Sequence, residues 1–337
     1  MKAIGFKTSL AIKEKDSFIA FETQKPEPKG KDILVKIAAV SVNPVDYKVR
    51  QNSAKDTVLK TPKIIGWDAV GTVVAVGNEV TLFKTGDQVF YAGDITRSGS
   101  NAEYQLVDER IVGRRPEGLT PEEAAAMPLT SLTAWEILFD RMRISAEKDK
   151  GKSILMIGGA GGVGSIAIQL AKKIAGLNVI VTASRPETTE WCKEMGADVV
   201  VNHKDLLNQM KEAGYPQVDF ILDFVNTNSY WDKMVELIKP QGHIASITGS
   251  ADPVVLNDLK TKSVSFSWEF MFTRPMFQTE DMIAQHHILN KVAALLENGT
   301  LKSTLTNTLN GLTVENLKDA HALLESGKAI GKTVIKF

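Results

Sequence analysis

The sequence contains a single cysteine, Cys192, and only five histidines. One cysteine excludes an intramolecular disulfide and any zinc site that is built on several thiolates. No histidine has a second histidine four residues away, and the adjacent His286 and His287 point to different sides of a helix. The sequence therefore predicts no metal site, and Cys192 is interpreted as an inert, small apolar side chain.

An excess of charge of one sign and a long apolar run are also missing. The 40 basic residues balance 40 acidic ones, so the formal net charge is zero and no nucleic-acid or anionic-membrane surface is indicated. Residues 154–171 are almost uncharged, but a transmembrane helix is disfavoured because their glycines crowd into one half. The N-terminus lacks the apolar stretch of a signal peptide. We expect a cytoplasmic protein without a membrane or nucleic-acid partner.

Two patterns of predicted secondary structure divide the chain. Short extended runs punctuated by Gly, Pro and Asp predict a β-rich domain at the start of the chain, with runs at 2–6, 33–42, 69–76, 88–91 and 102–107. Pro121 then opens a predicted helical stretch that continues to Arg141. From Ser153 to Thr248, strand-like and helix-like segments alternate, which is typical of a parallel sheet covered by helices. The tail, residues 301–337, is expected to rejoin the first domain.

The main motif of the alternating region is a glycine loop with Gly159, Gly161 and Gly164 in the pattern Gly-x-Gly-x-x-Gly. It follows a predicted strand and opens a predicted helix, as dinucleotide binding requires. Gly159 is expected to allow a tight turn, Gly161 to let the backbone approach a pyrophosphate, and Gly164 to let the helix pack closely. Ala160, Gly162 and Val163 complete the predicted phosphate-binding loop. A purely structural glycine turn is the alternative.

The residues at the end of the next strand predict the cofactor. An acid about 20 residues after the glycine loop would bind the ribose 2′-OH of NADH, but the strand ends Thr182-Ala183-Ser184-Arg185. A hydroxyl and a guanidinium favour a 2′-phosphate, so we predict NADPH, with His203 as a further contact. The alternative for Arg185 is a solvated surface side chain. Other strand ends that should face the same ligand carry Val225, Thr248 and Gly249.

Five segments stand in a characteristic order along the chain: residues 42–46 (VNPVD), 66–71 (GWDAVG), 86–89 (GDQV), 132–135 (LTAW) and the glycine loop. Together they resemble the medium-chain dehydrogenase/reductase superfamily, and most closely its quinone oxidoreductase-like branch, which includes zinc-type alcohol dehydrogenase-like proteins. The resemblance implies an α/β fold with a doubly wound (Rossmann) domain at 127–272. It also implies a GroES-like catalytic domain formed from both ends of the chain, at 1–126 and 273–337. Thr133 is then expected near the nicotinamide.

The departures from that family concern zinc. Its zinc-dependent members place a Cys where Asn43 stands and a His followed by Glu where Trp67 and Asp68 stand, and they carry a four-cysteine lobe where this chain has residues 93–101. A catalytic zinc needs three protein ligands and an open position. We therefore predict an enzyme without zinc, and we interpret Asp68 as a structural ion-pair or hydrogen-bond partner.

Without a Lewis acid, negative charge on a substrate oxygen must be stabilised by hydrogen bonds. Asn43 is predicted to present its amide and Tyr47 its hydroxyl, while Asp46 is predicted to orient a neighbour or the cofactor ribose. The alternatives are that Asn43-Pro44 is simply a turn signal and that Tyr47 packs in the core.

Aromatic and apolar residues predict a substrate pocket and an interface. The predicted pocket residues are Trp67, Phe270, Met271 and Phe272, with core packing as the alternative. The run 263–270 reads as an uncovered sheet edge, which favours a homodimer. The leading hypothesis is a zinc-independent NADPH-dependent reductase of quinones or α,β-unsaturated carbonyls. The alternatives are an aldehyde or ketone reductase and a non-catalytic NADPH-binding redox sensor.

Overall fold

The structure is a computed structural model that describes residues 1–337. Its strands, numbered along the chain, are β1 Lys2–Gly5, β2 Ile19–Glu22, β3 Asp32–Ser41, β4 Asp68–Val76, β5 Gln88–Tyr91, β6 Tyr104–Asp108, β7 Val112–Arg114, β8 Ser153–Ile157, β9 Asn178–Thr182, β10 Val199–Val201, β11 Val218–Asp223, β12 Ile238–Ser246, β13 Ser265–Trp268, β14 Leu305–Asn310 and β15 Lys332–Lys336.

The α-helices are α1 Pro44–Asn52, α2 Pro121–Ala125, α3 Pro128–Trp135, α4 Ala146–Asp149, α5 Gly162–Lys173, α6 Pro186–Met195, α7 Leu206–Glu212, α8 Thr227–Leu237, α9 Thr273–Phe277, α10 Ala284–Glu297 and α11 Val314–Glu325. A π-helix spans Glu136–Arg141, and short 3₁₀ helices lie at Lys15–Ser17, Glu109–Ile111, His203–Asp205 and Leu256–Lys262. None of the helices is long and apolar enough to cross a membrane.

The chain divides into two compact units. The first comprises Met1–Leu132 and Phe272–Phe337, and the second comprises Thr133–Met271. In the first unit, a mixed sheet has the order β14-β15-β3-β4-β5-β7, with β6 also paired to β3. Strand β15 runs antiparallel to β3 and pairs Val334 with Ser41, so the two ends of the chain share one sheet. This topology confirms the prediction of a β-rich domain built from both ends of the chain.

The second unit contains a six-stranded parallel sheet with the order β10-β9-β8-β11-β12-β13. The strand order reverses between β8 and β11, which is the point where ligands bind in doubly wound sheets. Apolar side chains of the central strands, among them Leu155, Ile180 and Ile221, are fully buried. Near-continuous apolar strands covered on both faces explain this sheet, and the predicted Rossmann class is confirmed.

Three predicted elements differ from the structure. The helical stretch expected from Pro121 to Arg141 is interrupted before Pro128, which cannot donate a helical hydrogen bond, and it continues as a π-helix from Glu136. Helix α1 was not predicted, although Asn43, Pro44 and Asp46 form an N-terminal capping pattern. The strand expected over 263–270 is shorter because Ser263 adopts a left-handed conformation and pairing ends at Trp268.

Candidate functional site

The glycine loop connects β8 to α5 at the carboxyl edge of the parallel sheet. Gly158 has a φ of 94° and donates its N–H to Thr182 Oγ1 at 2.9 Å. Gly158 is therefore the left-handed residue of the turn, whereas Gly159 belongs to the same turn without a positive φ. A Cβ on Gly159 would lie 2.8 Å from Val181 Cβ, so the absence of a side chain there permits close packing on β9.

The other two motif glycines differ in their surroundings. A Cβ on Gly164 would lie 2.5 Å from the carbonyl oxygens of Gly158 and Gly159, so α5 starts in direct contact with the turn. A Cβ on Gly161 would come no nearer than 3.9 Å to any atom, and the Gly161 backbone is extended. The protein itself thus leaves room beside Gly161. Free space beside a glycine at a helix N-terminus fits a pyrophosphate.

The end of β9 opens into a cavity of about 410 Å³. Ser184 and Arg185 line this cavity together with Lys193 and Glu190 of helix α6 and Asn202 at the end of β10. Arg185 is the N-cap residue of α6, and its Nε lies 3.3 Å from Glu187 Oε1. Two cationic side chains at this place fit an anionic group. Sequence reasoning missed Lys193, although it lies on the helix that directly follows Arg185.

His203 starts the short 3₁₀ turn after β10, one residue beyond the cavity-lining Asn202. Its side chain is half-buried and does not line the cavity. A contact of His203 with the adenosine end of a nucleotide stays a prediction.

A buried carboxylate organises the ends of β11 and β12. Asp223 Oδ1 accepts the Val225 N–H at 2.9 Å, and Asp223 Oδ2 accepts the Thr248 hydroxyl at 3.1 Å. Thr227 and Ser246 also bond to Asp223 Oδ2, at 2.9 and 3.1 Å. The structure thus brings the predicted residues Val225 and Thr248 together through Asp223, which sequence reasoning missed. Its location at the last position of a central strand was the available signal.

The neighbouring predicted residues take different positions. Gly249 directly follows Thr248, and a Cβ on Gly249 would have no other atom within 4 Å. Thr133 is buried at the start of the second unit, on helix α3. Contact of either residue with a nicotinamide stays a prediction.

The first unit holds a buried polar cluster, which we call the lysine cluster: Asn43, Asp46, Asp68 and Lys332. Lys332, at the start of β15, is 3% exposed and donates to the Val42 carbonyl and to Asp68 Oδ2, both at 3.0 Å, and to Asn43 Oδ1. Asn43 Nδ2 donates to Asp68 Oδ2 at 2.8 Å. Asp68 therefore accepts from a buried cation and an amide, and its predicted structural role is confirmed.

Hydrogen bonds engage both ends of the Asn43 amide. Besides Asp68, its Nδ2 reaches the Ser41 carbonyl at 3.4 Å, and the side chain is 1% exposed. Asp68 Oδ1 also accepts the Leu129 N–H at 2.7 Å, which ties the cluster to helix α3. In this arrangement Asn43 holds the cluster together and has little hydrogen-bonding capacity left for a substrate oxygen.

Asp46 and Tyr47 lie on the first turn of α1. Asp46 Oδ2 accepts the Asn43 N–H at 2.7 Å, whereas its buried Oδ1 has no partner. Burial raises the pKa of Asp46 to about 7, against the lowering effect of the Asn43 N–H and the Lys332 charge. The Tyr47 hydroxyl makes no hydrogen bond within the protein, and burial together with the Glu325 charge raises its pKa. A neutral Tyr47 hydroxyl is thus the available donor on this helix.

The predicted pocket residues are mostly buried. Trp67 is fully buried and Phe272 is 2% exposed, and their rings meet edge to face at 5.9 Å. Met271 is also buried, whereas Phe270 is 46% exposed. In this structure Trp67 and Phe272 pack in the core, as the alternative interpretation stated. Contact of the four predicted pocket residues with a substrate stays a prediction.

The residues of the lysine cluster do not fit a zinc ion. No group of three His, Cys, Asp or Glu side chains is arranged to hold a metal anywhere in the chain. Cys192 lies in the other unit, where burial raises the pKa of its thiol to about 12. The carboxylate of Asp68 is already paired with the Lys332 ammonium. A catalytic zinc requires three protein ligands, and this cluster offers no such set.

Comparison with known proteins is consistent with this description of the two units. Residues 29–127 match the model of the alcohol dehydrogenase GroES-like domain, and residues 162–285 match the model of the zinc-binding dehydrogenase family. A zinc-type alcohol dehydrogenase-like protein of Staphylococcus aureus is 51% identical over 99% of both chains. The crystal structure of a putative zinc-dependent alcohol dehydrogenase from Rhizobium etli is 48% identical, with a TM-score of 0.94, and the match covers 100% of this chain and 98% of that one.

A more distant relative carries a more specific name. The NADPH-dependent alkenal/one oxidoreductase of Arabidopsis thaliana chloroplasts is 30% identical over 92% of this chain and 73% of its own length. Fold, glycine loop and these matches define an oxidoreductase of the medium-chain dehydrogenase/reductase superfamily. Within that superfamily, the chain belongs to the zinc-type alcohol dehydrogenase-like proteins, as the sequence motifs predicted.

Proposed function

We propose that this protein is a zinc-independent, NADPH-dependent oxidoreductase that reduces quinones or α,β-unsaturated carbonyl compounds by hydride transfer. The observation that carries the proposal is the pairing of an open glycine loop with a cavity lined by Arg185 and Lys193. The name of the Arabidopsis relative supports both the cofactor and the substrate class.

The second unit would hold the nucleotide along the carboxyl edge of its sheet. The loop from Gly159 to Gly164 would bind the pyrophosphate through backbone N–H groups. Ser184, Arg185 and Lys193 would bind the 2′-phosphate, with His203 beside them. Val225 and Thr248, which Asp223 holds, would line the remaining part of the nucleotide site together with Gly249 and Thr133.

When bound, the reduced nicotinamide supplies a hydride to the electron-poor carbon of the substrate. The electron pair displaced by that addition collects on the substrate oxygen, which then needs a hydrogen-bond donor and a proton. We assign the donor role to Tyr47, because its hydroxyl has no partner within the protein. Asp46 is fully buried and accepts the Asn43 N–H, so we assign it the role of orienting its neighbour. The lysine cluster fixes the start of α1, on which both residues lie.

We also propose a homodimer that forms through the edge strand predicted at 263–270. Strand β13 pairs only with β12, and Trp268 and Phe270 are about half exposed, at 48% and 46%. An open apolar edge needs cover. Sedimentation should therefore give the mass of two 36.8 kDa chains, and a monomer at micromolar concentration would contradict the assignment.

The function is tested by a substrate screen. We expect the protein to oxidise NADPH faster with quinones and enones than with saturated aldehydes. Neither the addition nor the chelation of zinc should change these rates. Stoichiometric zinc in the purified protein together with loss of activity on chelation would overturn the mechanism. Tight NADPH binding without turnover of any of these substrates would favour the redox-sensor alternative.

A further inference from the structure

A hydrogen-bonded chain of side chains supports the glycine loop from behind. The indole Nε1 of Trp191, on α6, donates to Ser165 Oγ at 2.7 Å. Ser165 Oγ in turn donates to the Gly161 carbonyl at 2.8 Å, and the Ser165 N–H donates to the same carbonyl at 2.9 Å. Ser165 is fully buried and Trp191 is half-buried. The indole therefore connects helix α6 to Gly161 of the loop.

The direction of each bond has a consequence for the loop. A hydroxyl has only one hydrogen to donate. Because the Trp191 indole occupies an acceptor position of Ser165 Oγ, the hydroxyl hydrogen is directed toward the Gly161 carbonyl. Two donors thus fix this carbonyl along the axis of α5.

The orientation of one peptide plane follows from that carbonyl. In a trans peptide the C=O and the next N–H point in opposite directions. With the Gly161 carbonyl directed into α5, the Gly162 N–H points out of the N-terminal end of the helix, where it has no intrahelical acceptor. An N–H held in this direction is one that an anion at the loop can accept.

We propose that Trp191 is a positioning residue for nucleotide binding: through Ser165 it holds the peptide between Gly161 and Gly162 in the orientation that binds the pyrophosphate. This inference rests on the proposed nucleotide site. It assigns Trp191 no contact with the nucleotide itself. Both NADPH and NADH carry a pyrophosphate. Removal of the Trp191 indole N–H should therefore weaken the binding of both nucleotides to the same degree.

The test compares two tryptophan variants of the full-length protein. Trp191→Phe keeps an aromatic ring and removes only the N–H. The matched control is Trp231→Phe, because Trp231 lies in the same unit and donates its indole N–H to Asp258 at 3.1 Å. We expect Trp191→Phe to raise the Kd of NADPH and of NADH by about three- to tenfold, which corresponds to the loss of one hydrogen bond. The KM for the nucleotide should rise, whereas kcat should stay unchanged. Trp231→Phe should leave both Kd values unchanged.

A double-mutant cycle with Ser165→Ala separates positioning from general destabilisation. If Trp191 acts through Ser165, the Trp191→Phe change should weaken nucleotide binding less than about twofold in a Ser165→Ala background. Additive losses, or equal losses in Trp191→Phe and Trp231→Phe, would overturn the inference. Wild-type protein that binds neither nucleotide would instead contradict the proposed function, so the two failures are distinguishable.

Discussion

The lysine cluster and the glycine loop differ in where their polar groups find hydrogen-bond partners. In the cluster, Lys332, Asp68 and Asn43 are buried and bond to one another. In the loop, the backbone around Gly161 is partly exposed, and a Cβ there would come no nearer than 3.9 Å to another atom. This difference indicates which of the two regions can bind a ligand. Buried charges require partners inside the protein, whereas unpaired N–H groups at an open helix end are available to an external anion.

The largest effect on stability is expected when the lysine cluster loses its cation. Lys332→Met leaves the Asp68 carboxylate buried without its cation, and we expect a loss of about 3–5 kcal/mol in the free energy of unfolding, measured by denaturant titration. Lys336→Met, on the same strand, is the control, since Lys336 is 51% exposed and the loss of its pair with Glu122 should cost less than the loss of the fully buried pair.

Removing both charges sharpens this comparison. The double variant Lys332→Met/Asp68→Asn should lose less stability than the sum of the two single variants, because no isolated charge stays buried. A Lys332→Met protein as stable as the Lys336→Met control would show that the cluster does not depend on its ion pair.

The second effect is a pH dependence that arises from Asp46. Its pKa is raised from 3.8 to about 7, so between these values the folded state binds more protons than the unfolded state. Stability contributed by this group is therefore lost as the pH rises from about 4 to 7, by at most about 4 kcal/mol.

Asp46→Asn should remove that slope, so the variant loses less stability than wild type between pH 4 and 8 in thermal unfolding. Asp16→Asn, at an exposed acid, should follow the wild-type curve. Parallel curves for Asp46→Asn and wild type would mean that folding does not raise the pKa of Asp46.

The third effect concerns the open region. Arg185→Ala removes one charge-assisted contact to the proposed 2′-phosphate, and the affinity for NADPH should fall about ten- to a hundredfold while that for NADH changes by less than about twofold. Lys211→Ala, on the exposed face of α7, is the control. Calorimetric titrations that show equal losses for both nucleotides would refute the 2′-phosphate assignment.

The smallest effect on stability is expected at Gly161. Its backbone is extended and has room for a methyl group, but it is the N-cap of α5, where Ala is a poorer residue than Gly. The two effects oppose each other, and Gly161→Ala should change the stability of the nucleotide-free protein by less than about 1 kcal/mol. The same methyl group should block the pyrophosphate and weaken both nucleotides by at least about tenfold. Gly164→Ala is the contrasting control, because its methyl group would collide with two carbonyl oxygens and reduce stability.

Local sequence signals were enough to predict much of this molecule. The apolar run of β8 and the glycines after it are read from neighbouring residues, and they led to the Rossmann class and, with four other segments, to the family. Ser184-Arg185 led to the prediction of NADPH. Short-range capping chemistry at Asn43, Pro44 and Asp46 was also present in the sequence but was not interpreted as a helix start. The missed helix α1 was therefore predictable.

Other features depend on pairings that no local pattern carries. Lys332 reaches Asp68 across 264 positions because β15 joins the sheet beside β3, and Trp191 reaches Ser165 across 26 positions because α6 packs on α5. The sequence by itself determined the glycine loop and the lack of three zinc ligands, and it predicted the residues for the nucleotide. Only the tertiary structure decided which buried charge pairs with Asp68 and which side chain supports the loop, since periodicity and turn chemistry act over a few residues while strand pairing and helix packing join distant ones.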